Sequence, residues 1–290
     1  MKIILSRKGF DSGNAGMPSP IMPDGKPLSL PIPRRRGHYC SYNDLQFRRQ
    51  SLSSIIKDLA DGPIKFSDTA HVDPDLDEDR LPRKVGWRPI FGQTGGDQTH
   101  LENNGVGIGD LFLFFGWFRH TTKNSYRRLQ YVKPHDDFHA FFGWLQVGEV
   151  HRVNKRSART LPNWAQQHPH VATPDSFDLN NTIYISSKDL CLNGIDLNIP
   201  GGGSFPCISP SLRLTVHGGP RSLWALPDWF YPENDKPALS YHGDLSRWSI
   251  RGDKAILKSV ARGQEFVFDT IYYPQAIPWV LSLFKEYRKS

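Results

Sequence analysis

Apolar residues are spread unevenly along the chain, and their densest stretch runs from Gly105 to Val153. GVGIGDLFLFFGWFRH and FHAFFGWLQVGEVHRV are joined there by the polar TTKNSYRRLQYVKPHDD. Such near-continuous runs of Phe, Trp, Leu and Val, bounded by loop residues and too short to span a membrane, predict two adjacent strands buried on both faces. They form the expected central hairpin. Phe-Gly-Trp occurs in both runs, as Phe115-Gly116-Trp117 and Phe142-Gly143-Trp144. A glycine inside a strand marks a bulge or the close approach of another backbone.

Shorter patterns flank this core. KIILS at 2–6, NTIYIS at 181–186, LRLTV at 212–216 and the alternating run that starts at Glu265 predict further strands. In the last of these Glu265 and Val267 share one face, while Gln264, Phe266 and Phe268 share the other. Leu45, Leu52, Ile55, Ile56 and Leu59 make a helical stripe within 42–61, with Ser41 or Asn43 as its cap and Gly62-Pro63 as its stop. A second amphipathic helix is predicted over 276–288, and a short one that packs through Leu161 and Trp164. Six prolines between Met17 and Pro33 exclude a helix or a central strand and predict an extended wrapping segment. Arg34-Arg35-Arg36, which follows, reads as a solvated basic stretch. The expected fold class is α+β, mostly β, with a central mixed sheet, few helices and long ordered loops. We expect a single unit over 1–290 with its β core at about 87–153.

Composition narrows the setting. Three cysteines with no CxxC spacing predict neither a disulfide framework nor a thiolate zinc site, and a cytoplasmic protein without membrane contact is expected. A net charge of +7 with 12% aromatic residues suits a polyanion that carries stackable bases, so DNA or a nucleotide is the expected partner.

Candidate chemistry lies in four places. In the loop from Arg7 to Gly13, Lys8 supplies charge, Asp11 a base or ligand, and Ser12 with the backbone amides an anion cradle, although Asp11-Ser12-Gly13 is equally a good turn. The segment from His71 to Asp79 packs a histidine and several carboxylates into a basic chain. His71-x-Asp73 has the spacing of two ligands in a histidine and carboxylate site, and Asp75 extends it toward a divalent cation. The third ligand of such a site would come from His100, His139, His217 or His242; the plain alternative is an acidic turn neutralised by Arg80 or Arg83. Gln93 and Gln98 could read a base edge from a glycine-rich turn at 91–101, with His100 as acid or base. Glu265, on a buried strand, is either the partner of an arginine or a catalytic acid or base.

KIILSRKGFDSG, PSPIMPDG, HVDPDLD, GDLFLFFGWFR, FGWLQVGEV and RGQEFV together resemble the nucleotide modification associated domain family, type three, over residues 2 to about 270. The resemblance implies a setting in the hypermodification of bases in phage and bacterial DNA, alongside other modification enzymes. The resemblance itself supplies no reaction and no catalytic residues. On chemical grounds the expectation is an enzyme of group transfer or oxidation acting on a DNA base or nucleotide, with Asp11, Glu265 and His100 as catalytic candidates, Lys8, Ser12 and Gln93 as substrate-binding ones, and His71, Asp73 and Asp75 as ligands of a divalent metal. The hairpin alone, from Gly109-Asp110 to Val147-Gly148-Glu149-Val150, looks like the core of PUA-type barrels, including the EVE and ASCH groups. That likeness implies a pseudo-barrel and a non-catalytic reader, which would stack a modified base on Trp117, Trp144 or Tyr126.

Overall fold

The two apolar runs do pair, and their hairpin is the spine around which the other elements add. A computed structural model describes residues 1–34, 40–62, 64, 67–232, 239–261, 263–285 and 287. In chain order, the strands that build the core and the site are β1 (Lys2–Arg7), β2 (Thr69–His71), β3 (Ile90–Gln93), β4 (Leu111–Lys123), β5 (Phe138–Arg152), β6 (Thr182–Ser186), β7 (Gly202–Ser204) and β8 (Glu265–Asp269). The helices that bear on the core and the site are α1 (Leu52–Leu59), α2 (Gly95–Asn103), α3 (Pro169–Ala172) and α4 (Ala276–Leu283). The central sheet runs β8-β1-β4-β5-β6-β3, with β1 parallel to β4 and every other pair on this path antiparallel. It is therefore mixed, as expected, and among the described residues its end strands β8 and β3 do not pair, so it is an open sheet rather than a closed barrel.

Alternation along the strands explains why the runs are apolar throughout. Ile3, Leu5, Leu111, Leu113 and Phe115 face one core, against α4 and Trp224. Ile4, Phe112 and Phe114 face the other, against Phe91 and Tyr184. Burying each such side chain is worth about 1.5–3 kcal/mol, so a polar residue at any of these positions would be costly. Both Phe-Gly-Trp glycines meet another backbone closely. A Cβ on Gly116 would lie 2.9 Å from the Lys8 carbonyl oxygen, and one on Gly143 would lie 2.7 Å from that of Gly203, beside a bulge between Phe141 and Gly143. Gly116 thus lets the chain run on past the last pair of β1 and carry Lys8 beyond the strand's end.

Several expectations are corrected. The 42–61 helix starts only at Leu52, capped by Ser51, because Ser41 and Asp44 close a turn and Arg48 and Arg49 adopt positive φ. Tyr42 and Leu45 join the same apolar cluster from that turn. The stop residue Pro63 lies outside the described residues. The glycine-rich segment 91–101 is a strand followed by helix α2, and 212–216 makes isolated bridges rather than a regular strand. Arg34 is buried, donating to Thr173 Oγ1 with its guanidinium 5.2 Å from the Phe177 ring, whereas Arg35 and Arg36 lie outside the described residues. No helix among the described residues is long and apolar enough to cross a membrane.

One buried histidine makes a pH signature. His242 is fully buried; its Nδ1 donates to the Ser240 carbonyl at 2.9 Å and its Nε2 accepts the Val260 N–H at 3.1 Å, so the neutral ring is the native form. Burial pushes its pKa down to about 4 from 6.5. Between those values the unfolded chain binds one proton more than the native one, so stability falls as pH falls through this window, by roughly 3 kcal/mol in full. His242→Gln should flatten the dependence of unfolding free energy on pH between 6.5 and 4 by about one proton, measured by denaturant titration; an unchanged slope contradicts the assignment.

Candidate functional site

At the edge of the sheet formed by β3, a cleft of about 350 Å³ opens between the end of β1, the end of β2 and α3. Among its lining residues are Lys8, Asp11, His71, Asp73, Gln93 and His170. These come from far-apart parts of the chain, and each arrives for a local reason. Lys8 follows β1 and donates its backbone N–H to Phe115 O at 2.8 Å, and His71 ends β2, where it pairs with Ile32. His170 sits on α3, a single helical turn with Pro169 at its first position, where a missing N–H costs nothing.

Asp73 is the meeting point of the histidines. Its Oδ1 accepts the Gly92 N–H at 2.9 Å and His168 Nε2 at 3.2 Å. Its Oδ2 lies 3.4 Å from His170 Nε2 and 3.6 Å from His71 Nε2. Donor atoms of His71, Asp73 and His170 all lie within 4.8 Å of one another, so these three side chains could hold a metal ion. Burial alone would raise the Asp73 carboxyl, but the surrounding imidazoles of His168, His170 and His71 outweigh it and hold the group well below the ordinary carboxylate value. Burial pushes the other way on the rings: it lowers His71, and takes His170 down to about 4 against the opposing pull of Asp73. Asn181 fixes the His170 ring. The Asn181 amide donates to the Val153 and His170 carbonyls, so its Oδ1 accepts from His170 Nδ1 at 2.6 Å and leaves Nε2 facing the carboxylate. Phe177 stacks on the same ring at 3.9 Å.

Beside this group lies a buried ion pair. Lys8 Nζ donates to Glu265 Oε1 at 2.6 Å and to Gln264 Oε1 at 3.1 Å, and lies 4.7 Å from the Phe91 ring centroid. Gln93 Nε2 donates to the same Glu265 oxygen at 2.7 Å. Glu265 is fully buried and is not among the residues lining the cleft, so it holds Lys8 and Gln93 in place from beneath. Of the two alternatives for this carboxylate, a cation partner is present, and it is a lysine rather than an arginine. Consecutive residues of β3 tie the two halves of the site together: Gly92 binds Asp73 and Gln93 binds Glu265.

The remaining predicted residues are placed as follows. Asp11 lines the cleft, but its carboxylate is engaged by the Gly13 and Asn14 N–H groups at 2.7 Å each and by Asn14 Nδ2, so it builds the turn. Ser12 is exposed and accepts from Arg221. Asp75 points away from the histidines into a two-pronged pair with Arg83 at 2.6 and 2.8 Å, and Asp77 is paired with Arg80. The acidic segment is thus split: its arginine-neutralised half closes a turn, while His71 and Asp73 turn inward. His100 lies outside the cleft lining, 3.1 Å from Ser240 Oγ and against the Tyr241 ring. Trp144 is fully buried among Phe205, Phe284 and Tyr287, donating to the Pro200 carbonyl, and has no face for a base. Trp117 is half-buried with the Arg221 guanidinium 4.0 Å from its ring.

His168 and His170 were missed by the sequence reading, and none of His100, His139, His217 and His242 belongs to the group. The available signal was His168-Pro169-His170, two histidines at the same spacing as His71-x-Asp73, in a segment that otherwise reads as polar linker.

A family model described as nucleotide modification associated domain 3 matches residues 2–269. No curated protein and no solved structure matches the chain.

The position of the His170 ring depends on Gly92. A Cβ there would fall 2.4 Å from His170 Cγ and 2.5 Å from Cδ2, so Gly92→Ala must displace the ring or the strand. A loss of about 1–3 kcal/mol is expected from such overpacking. In a His170→Ala background the same substitution should cost much less, a coupling read by a denaturation double-mutant cycle; additive costs would show that the ring does not rest on Gly92.

Proposed function

The chain belongs to this nucleotide modification associated domain 3 family, and from that premise and the cleft we propose that it is an enzyme of a DNA base or nucleotide modification pathway, with its active site between Lys8 and His170. The observation that carries the reading is the convergence of Lys8, His71, Asp73, Gln93 and His170 on one opening. Binding alone asks for stacking surfaces and charge, and gains nothing from a buried carboxylate enclosed by three imidazoles. Active sites, in contrast, are where burial and close charges are arranged to shift titration, as at Asp73 and His170. A cleft of this size is in the range that encloses a small molecule or one flipped-out base. The net charge of +7 favours a phosphate-bearing substrate. Of the residues on which a reader would stack a base, Trp144 presents no face to a ligand, while Trp117 is half-buried and Tyr126 exposed.

In this reading Lys8 is a fixed positive charge for a substrate phosphate or carbonyl oxygen, oriented by Glu265 and Gln264. Deleting the gene from its host should change the nucleoside profile of the DNA or of the nucleotide pool, read by mass spectrometry after digestion. Wild-type protein should restore the profile, and Asp73→Asn and Lys8→Met, expressed at equal soluble levels, should not. Restoration by both variants, or no change on deletion, contradicts the proposal.

A further inference from the structure

We propose that His71 Nε2, His170 Nε2 and Asp73 Oδ2 are the protein ligands of one divalent first-row transition-metal ion, whose remaining coordination positions open into the cleft. The proposal rests on the functional reading above for the meaning of the cleft, but on independent geometry for the ion. Three atoms converge there, and the orientation of two is set from outside. Asp73 Oδ1 is occupied by the Gly92 N–H and His168, which turns Oδ2 toward the rings. His170 gives its Nδ1 proton to Asn181 Oδ1, so the neutral ring presents an Nε2 lone pair toward Oδ2 at 3.4 Å. In a site whose two partners are 2% and 6% exposed, a lone pair facing a carboxylate oxygen calls for a positive charge between them, a second ring proton or a metal ion, and the convergence of His71 on the same oxygen points to the ion. The His71 and His170 contacts with Oδ2, at 3.6 and 3.4 Å, fit this account. Ligands about 2.1 Å from one ion and separated by about 90–120° stand roughly 3.0–3.6 Å apart, so both distances fall at the wide end of this range.

The surroundings have the form that metal sites take. A ligating histidine normally donates its other N–H to a carbonyl or carboxylate, and Asn181 fills that part for His170. Phe177 stacks on the His170 ring and restricts its rotation. Two imidazoles with one carboxylate select a transition ion over magnesium or calcium, which take oxygen ligands. Three protein ligands rather than four mark a site that keeps positions for substrate or water, and all three residues line the cleft where those positions would face. Asp75 is outside this set because Arg83 occupies both of its oxygens.

The test is metal binding by the whole chain, stripped with a chelator and titrated with cobalt(II), with absorption in the visible range as the readout. One cobalt(II) per chain is expected, with magnesium failing to compete. His170→Ala and Asp73→Asn should each weaken binding by at least roughly 10–100-fold, the loss typical even for outer partners of a ligand. His151→Gln, at a half-exposed histidine paired with Glu149, should leave binding unchanged. Circular dichroism checks that the variants fold. If they do not, copper(II)-loaded wild type decides by electron spin echo spectroscopy, which should report two coordinated imidazoles. No stoichiometric binding by folded wild type, equal binding by folded variants, tight magnesium competition, or fewer than two imidazoles overturns the proposal. Metal binding without any effect on nucleosides would defeat the functional reading and leave this site standing; a nucleoside effect without metal binding would do the reverse.

Discussion

The hydrogen bond from the Gly92 N–H to Asp73 Oδ1 is the contact on which the site depends. It joins a loop carboxylate to the last strand of the central sheet, and so gives a residue from an acidic turn the rigidity of the core. With Oδ1 held there and by His168, the other oxygen has one orientation, toward His71 and His170. The absence of a side chain at Gly92 serves the same end, since the His170 ring occupies the space that a Cβ would take. One glycine therefore positions a carboxylate through its backbone and a histidine through its missing side chain.

The Lys8 half of the site is built by the same sheet from the opposite direction. Parallel pairing of β1 with β4 carries Lys8 past Gly116, and antiparallel pairing of β1 with β8 sets Ser6 opposite Glu265, which places the carboxylate beneath the lysine. Removing either charge would strand the other in a buried site, a cost of about 3–5 kcal/mol. Retaining such a pair at the base of a cleft is understandable if Lys8 must present its ammonium in one place. Gln93, between Glu265 below and the cleft above, connects the two halves.

The fold was legible in the sequence where periodicity is strong and the site only where spacing is local. The Phe-rich runs around Gly116 and Gly143 could be read because strands buried on both faces leave no polar positions, and Glu265 was flagged because a carboxylate in such a run needs a partner. His71 and Asp73 were visible as a short-range pair. Their companions His168 and His170 were not, because the turn that carries them is defined by a contact with β3 rather than by its own pattern. Helix α2 was hidden by Gly95 and Gly96, which read as a turn, and the early part of the 42–61 stripe was apolar for packing reasons while its backbone turned at Arg48 and Arg49. Trp144 was an attractive base-stacking residue by type alone; only its place inside the core removes it.

The central claim is that a nucleotide meets the His71, Asp73 and His170 group inside one cleft, and nuclear magnetic relaxation on cobalt(II)-loaded protein tests it most directly. The probes are the four deoxynucleoside monophosphates and a short single-stranded oligodeoxynucleotide, each added in turn. For at least one probe, base protons should relax faster in the presence of the loaded wild type, and not with Asp73→Asn treated in the same way. If no probe is relaxed, or the variant relaxes it equally, the account is contradicted.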